Sequence, residues 1–404
     1  RPDDIPTKVT TLHRLLGTLP DQRGRFRHHA ENPLPYDVVV VDEMSMVSLP
    51  MMARVLEAVR PTAHLVLVGD PDQLSSVEAG AVMADITGAA SSSSSDSHHA
   101  ARGESDDAGG SGDAGYADLP ALADDGRGLP LPLDVRHGVV RLTHTWRFGG
   151  AIDELAQAIR RGDDDAVITV LRGGHDDVRF REIRQDEVEA EATADLRASI
   201  MDSGTALVTA ARASIDIPEA STEAFDRAAI TALGALDAHR LLCAHRTGPY
   251  GVARWSWEAD RWLAPVTAEA GRLTDEWYAG RPILITANDY ELGLFNGDTG
   301  VVIATREGLR AVFARGQRIL SFAPARLEDV QTVHAMTVHR SQGSQFREVS
   351  FVVPPADSPL LTRELLYTAV TRASTTVTVI GSEAALRRAV TRPANRASGL
   401  RHRL

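Results

Sequence analysis

The 404-residue sequence has little of several features that would mark particular classes of protein. A single cysteine, Cys243, excludes an internal disulfide and fits a reducing compartment, so we expect a cytoplasmic protein. No apolar run approaches the roughly 18 residues of a membrane-spanning helix, and the residues after Arg1 lack a signal-peptide pattern. The cysteine and the fourteen histidines show no zinc-ligand spacing. Only Lys8 among the 43 basic residues is a lysine, which we attribute to codon usage rather than to a demand of the fold.

Negative charge is concentrated in two segments of the chain. Residues 88–128 have a net charge of −6 within a Gly-, Ala-, Ser- and Asp-rich stretch, and we expect a disordered surface insertion there. Residues 163–202 have a net charge of −7 but keep an apolar spacing that is typical of a helix with an acidic outer face. Residues 245–404 carry a net charge of +5, so the whole-chain value of −12 does not exclude a nucleic-acid partner.

Strand-like apolar runs alternate with helical patterns, which predicts an α/β fold with parallel sheets. Residues 38–41 are four valines, typical of a parallel strand buried on both faces, and a helical pattern separates them from a second run at 65–68. Similar runs follow, and we predict strands there as well: 206–209, 241–244, 350–353 and 376–380. Residues 281–330 differ, because Gly, Asn and Asp turns separate four short strands. That segment predicts a small β-barrel inserted into the α/β domain.

An acidic pair follows the first strand, where ligands of open α/β sheets collect. Asp42 is placed to hold Mg²⁺ through its water shell, and Glu43 to position or deprotonate an attacking water. Alone, the pair is equally compatible with a solvated strand end. Gln73 follows the neighbouring strand, where its amide can sense a γ-phosphate or the attacking water. Two such strand ends together favour nucleotide hydrolysis.

Five segments, in order along the chain, resemble the motifs of superfamily 1 helicases. They lie at 38–45 (Walker B), 68–74 (third motif), 142–148 (fourth), 337–346 (fifth) and 366–373 (sixth). The segments at 11–17 and 288–300 resemble the RecD branch, the alpha subunits of exodeoxyribonuclease V. This resemblance implies two RecA-like parallel-sheet domains of a P-loop NTPase helicase with a small SH3-like β-barrel insertion. It also implies ATP- and Mg²⁺-dependent 5′-to-3′ translocation on single-stranded DNA, acting at DNA ends with RecB-like and RecC-like partners in double-strand-break repair.

The resemblance also implies roles for individual residues, with alternatives for several of them. The candidates for catalysis and nucleotide binding are Asp42, Glu43, Ser45, Gln73, Arg147, Gly343 and Arg372. The candidates for DNA binding are Asn288, Tyr290, Thr337, His339, Arg340 and Gln342. Arg372 can instead be a surface arginine of a helix, Arg147 a stacked arginine, and His339 a packed histidine. Three tryptophans near basic residues can stack on bases but more often form core: Trp255, Trp257 and Trp262.

The family's P-loop, Gly-x-x-x-x-Gly-Lys-Ser/Thr, does not occur in the sequence. Because relatives carry it upstream of the 11–17 segment, we expect the chain to be the C-terminal part of a longer helicase and to be inactive alone. The expected divisions are a first motor domain at 1–141, a second at 142–280 and 331–390, a barrel at 281–330 and a basic tail at 391–404. The alternatives are a stand-alone RecD-like or relaxase-type helicase, and a non-catalytic DNA-binding scaffold.

Overall fold

The computed structural model describes two compact units of the chain. Its described residues are 9–19, 25–76, 80, 82–92, 135–136, 138–140, 142, 149–183, 193–218, 222–271, 276–316 and 318–394. The first unit contains the chain through Pro71 and from Ser75 to His144, and the second contains Asp72–Leu74 and Thr145–Asn395. No helix in these ranges is long and apolar enough to cross a membrane.

The first unit is built around one parallel strand pair. Its elements are α1 (Leu12–Leu16), β1 (Val38–Val41), α2 (Leu49–Ala58), β2 (His64–Leu67), α3 (Val82–Ser92), β3 (Val135–Arg136) and β4 (Val139–Val140). β1 and β2 pair in parallel, as the sequence predicted, and β3 and β4 pair antiparallel. A core that includes Val39, Val41, Met52 and Val55 joins the strands to α2.

The prediction that the first strand is buried on both faces is wrong. Val39 and Val41 are 5% and 4% exposed, whereas Val38 and Val40 are 57% and 62% exposed. The cause is that successive side chains of a strand point to opposite faces and α2 packs on only one of them.

The expected acidic insertion at 88–128 falls mostly outside the described residues. α3 extends through Ser92, so the first five residues of that segment are helical rather than disordered. Residues 93–128 lie outside the description.

The second unit holds most of the regular structure. Its helices are α4 (Gly150–Arg161), α5 (Asp164–Arg172), α6 (Ala194–Arg212), α7 (Thr222–Leu236), α8 (Val252–Glu269), α9 (Arg363–Val370) and α10 (Glu383–Thr391). Its strands are β5 (Val178–Glu182), β6 (His239–Cys243), β7 (Pro282–Ile285), β8 (Thr299–Thr305), β9 (Gly308–Arg315), β10 (Arg318–Phe322), β11 (Val330–Thr332), β12 (Ala335–Thr337), β13 (Phe346–Val352) and β14 (Ala373–Gly381).

Five of these strands form a parallel sheet in the order β12-β6-β13-β14-β5. One face carries a core with α4, α5, α9 and α10, and the other carries a core with α6 and α8. Trp255 and Trp262 belong to the second core, with ring centroids 6.5 Å apart. This three-layer arrangement is the one that the alternation of strands and helices predicted.

The other five strands form an antiparallel sheet in the order β10-β9-β8-β7-β11. All four strands predicted within residues 281–330 are present, and β11 is the additional one. α6 and α7 pack on one face of this sheet through residues such as Leu207, Phe225 and Val301. The insertion is therefore an all-β element, and its SH3-like class stays a prediction.

The strand predicted at residues 206–209 is wrong, because these residues lie inside α6. A short apolar run fits a buried helix as well as a strand. The spacing of the buried residues Leu196, Ile200, Leu207 and Ala211 belongs to a single helix face.

Burial of His239 should make the stability of the second unit depend on pH. Its Nε2 contacts the Ser350 hydroxyl at 2.9 Å. Burial, followed by the charge of Arg240, lowers its pKa to about 4. The unfolded state, with a pKa near 6.5, therefore binds more protons between these values. The contribution of neutral His239 to stability is fully present above about pH 6.5. The free energy of unfolding should fall by about 1–3 kcal/mol as the pH approaches 4.

Urea unfolding of wild type and His239→Asn between pH 4 and 8 checks this, with the buried tryptophans of the unit as the fluorescent probe. The substitution should flatten the pH dependence, whereas the exposed His64→Asn should leave it unchanged. Equal slopes for wild type and His239→Asn would contradict the assignment.

Candidate functional site

The acidic pair of the first unit lies directly beyond β1, as predicted. Asp42 is exposed, and its Oδ1 accepts the Glu43 backbone N–H at 2.8 Å. Glu43 adopts φ 54° and ψ 42°, and it is the one non-glycine residue with positive φ among the described residues. Such a conformation costs of order 1 kcal/mol for a side-chain-bearing residue and is concentrated at functional sites. The strain therefore singles out the predicted catalytic glutamate.

Backbone contacts hold the turn after Glu43 against the end of β2. The Met44 N–H donates to the Val68 carbonyl at 2.9 Å. A Cβ on Gly69 would lie 2.9 Å from the Met44 nitrogen, so only glycine allows this approach. Ser45 is 7% exposed, and its Oγ has no hydrogen-bond partner among the described residues. A buried hydroxyl without a partner is available to a ligand, and the nucleotide contact of Ser45 stays a prediction.

The segment that carries Gln73 packs within the second unit. The Arg160 Nε forms a salt bridge with the Asp72 Oδ2 at 2.8 Å. The Leu74 N–H donates to the Thr368 hydroxyl at 2.8 Å, and the Gln342 Nε2 donates to the Leu74 carbonyl at 2.6 Å. Gln73 lies between these anchored residues and is 6% exposed. Its neighbours are therefore anchored, Asp72 through its side chain and Leu74 through its backbone.

Arg372 follows α9 and is 2% exposed, so it is not a surface arginine of a helix. Its Nη1 donates to the Ser344 carbonyl at 3.1 Å, next to Gly343, which has φ 76°. The guanidinium thus lies under the turn that carries the predicted nucleotide contact Gly343. Arg147, the other predicted catalytic arginine, lies outside the described residues.

The predicted DNA-binding loop forms a short 3-10 helix, Val338–Ser341, directly after β12. Thr337 caps this turn, and its Oγ1 accepts the Arg340 N–H at 3.3 Å. Arg340 is exposed and His339 is half-buried, whereas the Gln342 side chain bonds to Leu74. The loop therefore presents two basic side chains to solvent and one amide to the protein.

The loop is continuous with the predicted DNA contacts of the antiparallel sheet. The Arg340 Nη2 donates to the Asn296 Oδ1 at 2.8 Å. The Asn296 N–H donates to the Asn288 Oδ1 at 2.9 Å, and the Asn288 Nδ2 donates to the Tyr290 hydroxyl at 3.4 Å. Tyr290 is 74% exposed, so a flat aromatic ring borders the patch. The structure thus brings together five of the six predicted DNA-binding residues.

Arg246, which the motif comparison missed, belongs to the same patch. It follows β6, the strand next to β12, and is exposed. Burial lowers the pKa of His339 and of Arg340, and the positive charge of Arg246 lowers both pKa values further. In the described part of the chain Arg246 has no carboxylate partner. We call Arg246, His339 and Arg340 the basic cluster, because two guanidinium groups and an imidazole N–H without an acid suit a phosphate.

The tryptophans divide between core and surface. Trp255 and Trp262 are 1% and 9% exposed, which agrees with the core alternative. Trp257 is 59% exposed, and the Arg261 guanidinium lies 5.2 Å from its ring centre. Among the described residues no group of three or more His, Cys, Asp or Glu side chains can hold a metal ion.

Two family models match separate parts of the chain. Residues 3–106 match the AAA domain, which covers the segment with Asp42, Glu43 and Gln73. Residues 332–380 match the UvrD-like helicase C-terminal domain, which covers the basic loop and Arg372.

The chain is also similar to curated proteins over nearly all its length. It is 48% identical over 98% of its length to the RecBCD enzyme subunit RecD of Mycolicibacterium smegmatis, covering 59% of that relative. It is 31% identical over 98% of its length to the RecBCD enzyme subunit RecD of Haemophilus influenzae, covering 58%. It is 28% identical over 90% of its length to the ATP-dependent RecD2 DNA helicase of Deinococcus radiodurans, covering 39%. The chain thus spans less than three fifths of the length of these relatives.

The α/β fold, the acidic pair after a strand and the match to the UvrD-like helicase C-terminal domain agree with the superfamily 1 helicase class that the motifs resemble. Within that class the chain is similar to RecD subunits over 98% of its residues. The family resemblance drawn from the motifs is confirmed.

The basic cluster should determine the salt dependence of binding to single-stranded DNA. A guanidinium that contacts a phosphate displaces condensed cations, so Arg246→Gln and Arg340→Gln should each weaken binding of an oligo-dT. Each should also reduce the slope of log K against log [NaCl] by about 0.7. Fluorescence-anisotropy titrations over a series of NaCl concentrations measure both quantities.

The matched control is Arg227→Gln, because Arg227 is an exposed arginine on α7 of the same unit and pairs with Glu223. Its affinity and slope should equal those of wild type. A slope for Arg246→Gln that matches the control would remove Arg246 from the DNA contact.

Proposed function

We propose that this chain is part of a helicase subunit that uses ATP hydrolysis to move 5′-to-3′ along single-stranded DNA. The subunit would act at DNA ends in an exodeoxyribonuclease V complex during recombinational repair. The observation that carries the proposal is the similarity of 98% of the chain to proteins named RecBCD enzyme subunit RecD. Partners of the RecB and RecC types follow from that name.

Each candidate catalytic residue has a role that its helicase motif implies. Glu43 would position and deprotonate the attacking water, and its left-handed backbone fixes the direction of its side chain. Gln73 would sense the γ-phosphate or the attacking water. Arg147 and Arg372 would offset the negative charge that develops on the phosphoryl group, an effect worth roughly 10³–10⁵-fold in rate.

The residues at the end of β1 fit a hydrated magnesium ion. Asp42 offers an exposed carboxylate, the type of ligand that Mg²⁺ prefers, and one carboxylate is sufficient when waters complete the coordination shell. Bound there, the ion would neutralise charge on the β- and γ-phosphates. Ser45 and Gly343 would contact the nucleotide, and Asp42 would keep the ion in place.

The basic cluster and the neighbouring Asn288 would bind the DNA backbone. Arginine, histidine and amide groups contact phosphates and sugars without reading the base sequence, as a translocating motor requires. Thr337 would add a hydroxyl donor, and the exposed ring of Tyr290 offers a surface on which a base can stack.

A stand-alone RecD2-type helicase is the second candidate, supported by the 28% identity to the Deinococcus radiodurans protein. The higher identity to RecBCD subunits favours the complex. A non-catalytic DNA-binding scaffold is the third candidate, and it predicts that DNA binding does not depend on Glu43.

The decisive substitution is Glu43→Gln in the full-length polypeptide that contains this chain. Removing the carboxylate charge should lower the single-stranded-DNA-stimulated rate of ATP hydrolysis by at least about 10²-fold, because general-base catalysis is lost. Affinity for a fluorescent ATP analogue should stay within about threefold of wild type, since glutamine keeps the shape of the side chain.

Glu57→Gln serves as the control, because Glu57 is a half-exposed carboxylate of the same unit that pairs with Arg54. Its turnover should equal that of wild type. Undiminished hydrolysis by Glu43→Gln would contradict the proposed motor function, and a wild type that binds DNA without hydrolysing ATP would favour the scaffold.

A further inference from the structure

The backbone of Leu74 is held from both sides by residues that lie far away in the sequence. Its N–H donates to the Thr368 hydroxyl at 2.8 Å, and its carbonyl accepts the Gln342 Nε2 at 2.6 Å. Leu74 itself is 7% exposed and packs in the core with α4 and α9. Both backbone polar groups of Leu74 are thus satisfied by side chains rather than by secondary structure.

The two side chains come from the elements that carry other parts of the site. Gln342 directly follows the short 3-10 helix that carries His339 and Arg340. Thr368 is 0% exposed and lies on α9, four residues before Arg372. Leu74 directly follows Gln73. Leu74 therefore contacts both the loop that carries Arg340 and the helix α9, which precedes Arg372.

The sheet topology explains why Gln342 lies between the basic cluster and Arg372. Residues 338–345 connect the carboxyl end of β12 with the amino end of β13, two parallel strands that both pair with β6. The loop must therefore pass from one edge of the sheet to the other. The basic cluster lies at the edge where it starts, Arg372 and Ser344 lie at the edge where it ends, and Gln342 bonds to Leu74 between them.

We propose that Gln342 and Thr368 are positioning residues that clamp the Leu74 backbone and so set the position of Gln73, which couples DNA occupancy of the loop to ATP hydrolysis. This inference rests on the proposed function and changes one part of the sequence prediction. Gln342 acts on the protein rather than on DNA, because its amide nitrogen is engaged by a carbonyl at 2.6 Å. Phosphate binding by the neighbouring Arg340 would shift the loop, and Gln342 would transmit that shift to Leu74.

The clamp predicts a separation between DNA affinity and turnover. In the full-length polypeptide, Gln342→Ala should lower kcat for ATP hydrolysis at saturating oligo-dT by about tenfold to a hundredfold, since small displacements of catalytic groups have effects of that size. Its oligo-dT affinity and salt slope should match those of wild type. Arg340→Gln should differ from Gln342→Ala in binding, with a weaker oligo-dT affinity and a smaller salt slope than wild type.

Substitutions of Thr368 provide an independent test of the clamp. Thr368→Val removes the hydroxyl at nearly constant shape and should lower kcat as Gln342→Ala does, while Thr368→Ser keeps the hydroxyl and should restore it. The double variant should lose little more than either single variant, because both act on the same backbone segment. The control Gln331→Ala changes an exposed glutamine of the same unit and should leave kcat and KM unchanged.

A direct readout uses this chain without ATP. The Leu74 amide hydrogen should exchange with deuterium at least about tenfold faster in Thr368→Val than in wild type, since the bond that protects it is removed. Thr368→Ser should retain the protection. An unchanged exchange rate at Leu74 in Thr368→Val would overturn the clamp, and it would do so even if the variant had lost stability elsewhere.

The kinetic outcomes separate this inference from the proposed function. A wild-type polypeptide without DNA-stimulated hydrolysis would overturn the proposed function, and the coupling role would be overturned with it. A stimulated wild type with normal kcat in Gln342→Ala would overturn only the coupling role. Weaker oligo-dT binding and a reduced salt slope in Gln342→Ala would show that Gln342 is a DNA ligand, which also overturns the inference.

Discussion

Parallel pairing of five strands is the constraint on which the second unit depends. In the order β12-β6-β13-β14-β5 all strands run the same way, so their carboxyl ends meet at one edge and their amino ends at the other. Residues that follow β6 and β12 are therefore neighbours whatever their distance in sequence. This is why Arg246 lies near His339 and Arg340, close enough for its charge to lower the pKa of each.

The same constraint explains why one short loop can serve two sites. A connection between parallel strands has to return from the carboxyl edge to the amino edge, and residues 338–345 make this return directly. The segment begins at the edge of the sheet where the basic cluster lies. It ends beside Arg372, whose Nη1 donates to the Ser344 carbonyl. Gln342 bonds to Leu74 between these two ends, so the proposed DNA contact and the position of Arg372 would share one loop. The antiparallel sheet supports the loop through the bond between Arg340 and Asn296.

The sequence predicted what is local and missed what depends on tertiary packing. Residues just beyond strand ends, such as Asp42 and the 337–342 loop, were found because strand runs and family motifs mark them. The left-handed backbone of Glu43 and the Arg246 contribution were missed, since no periodicity encodes a φ angle or the proximity of two strand ends. The strand expected at 206–209 was wrong because an apolar run of four residues does not distinguish a strand from a helix inside α6. The role of Gln342 required the Leu74 bond to be seen.

The central claim is that DNA lies across the loop after β12, the turn after β6 and the Asn288–Asn296 segment of the antiparallel sheet. Hydrogen–deuterium exchange of this chain with and without oligo-dT tests it most directly, because it locates the bound surface without relying on any substitution. We predict slower exchange in residues 244–247, 288–296 and 337–342, with no change in the exposed turn at 306–308 on the same sheet. Protection confined to other parts of the second unit, or none at saturating oligo-dT, would contradict the account.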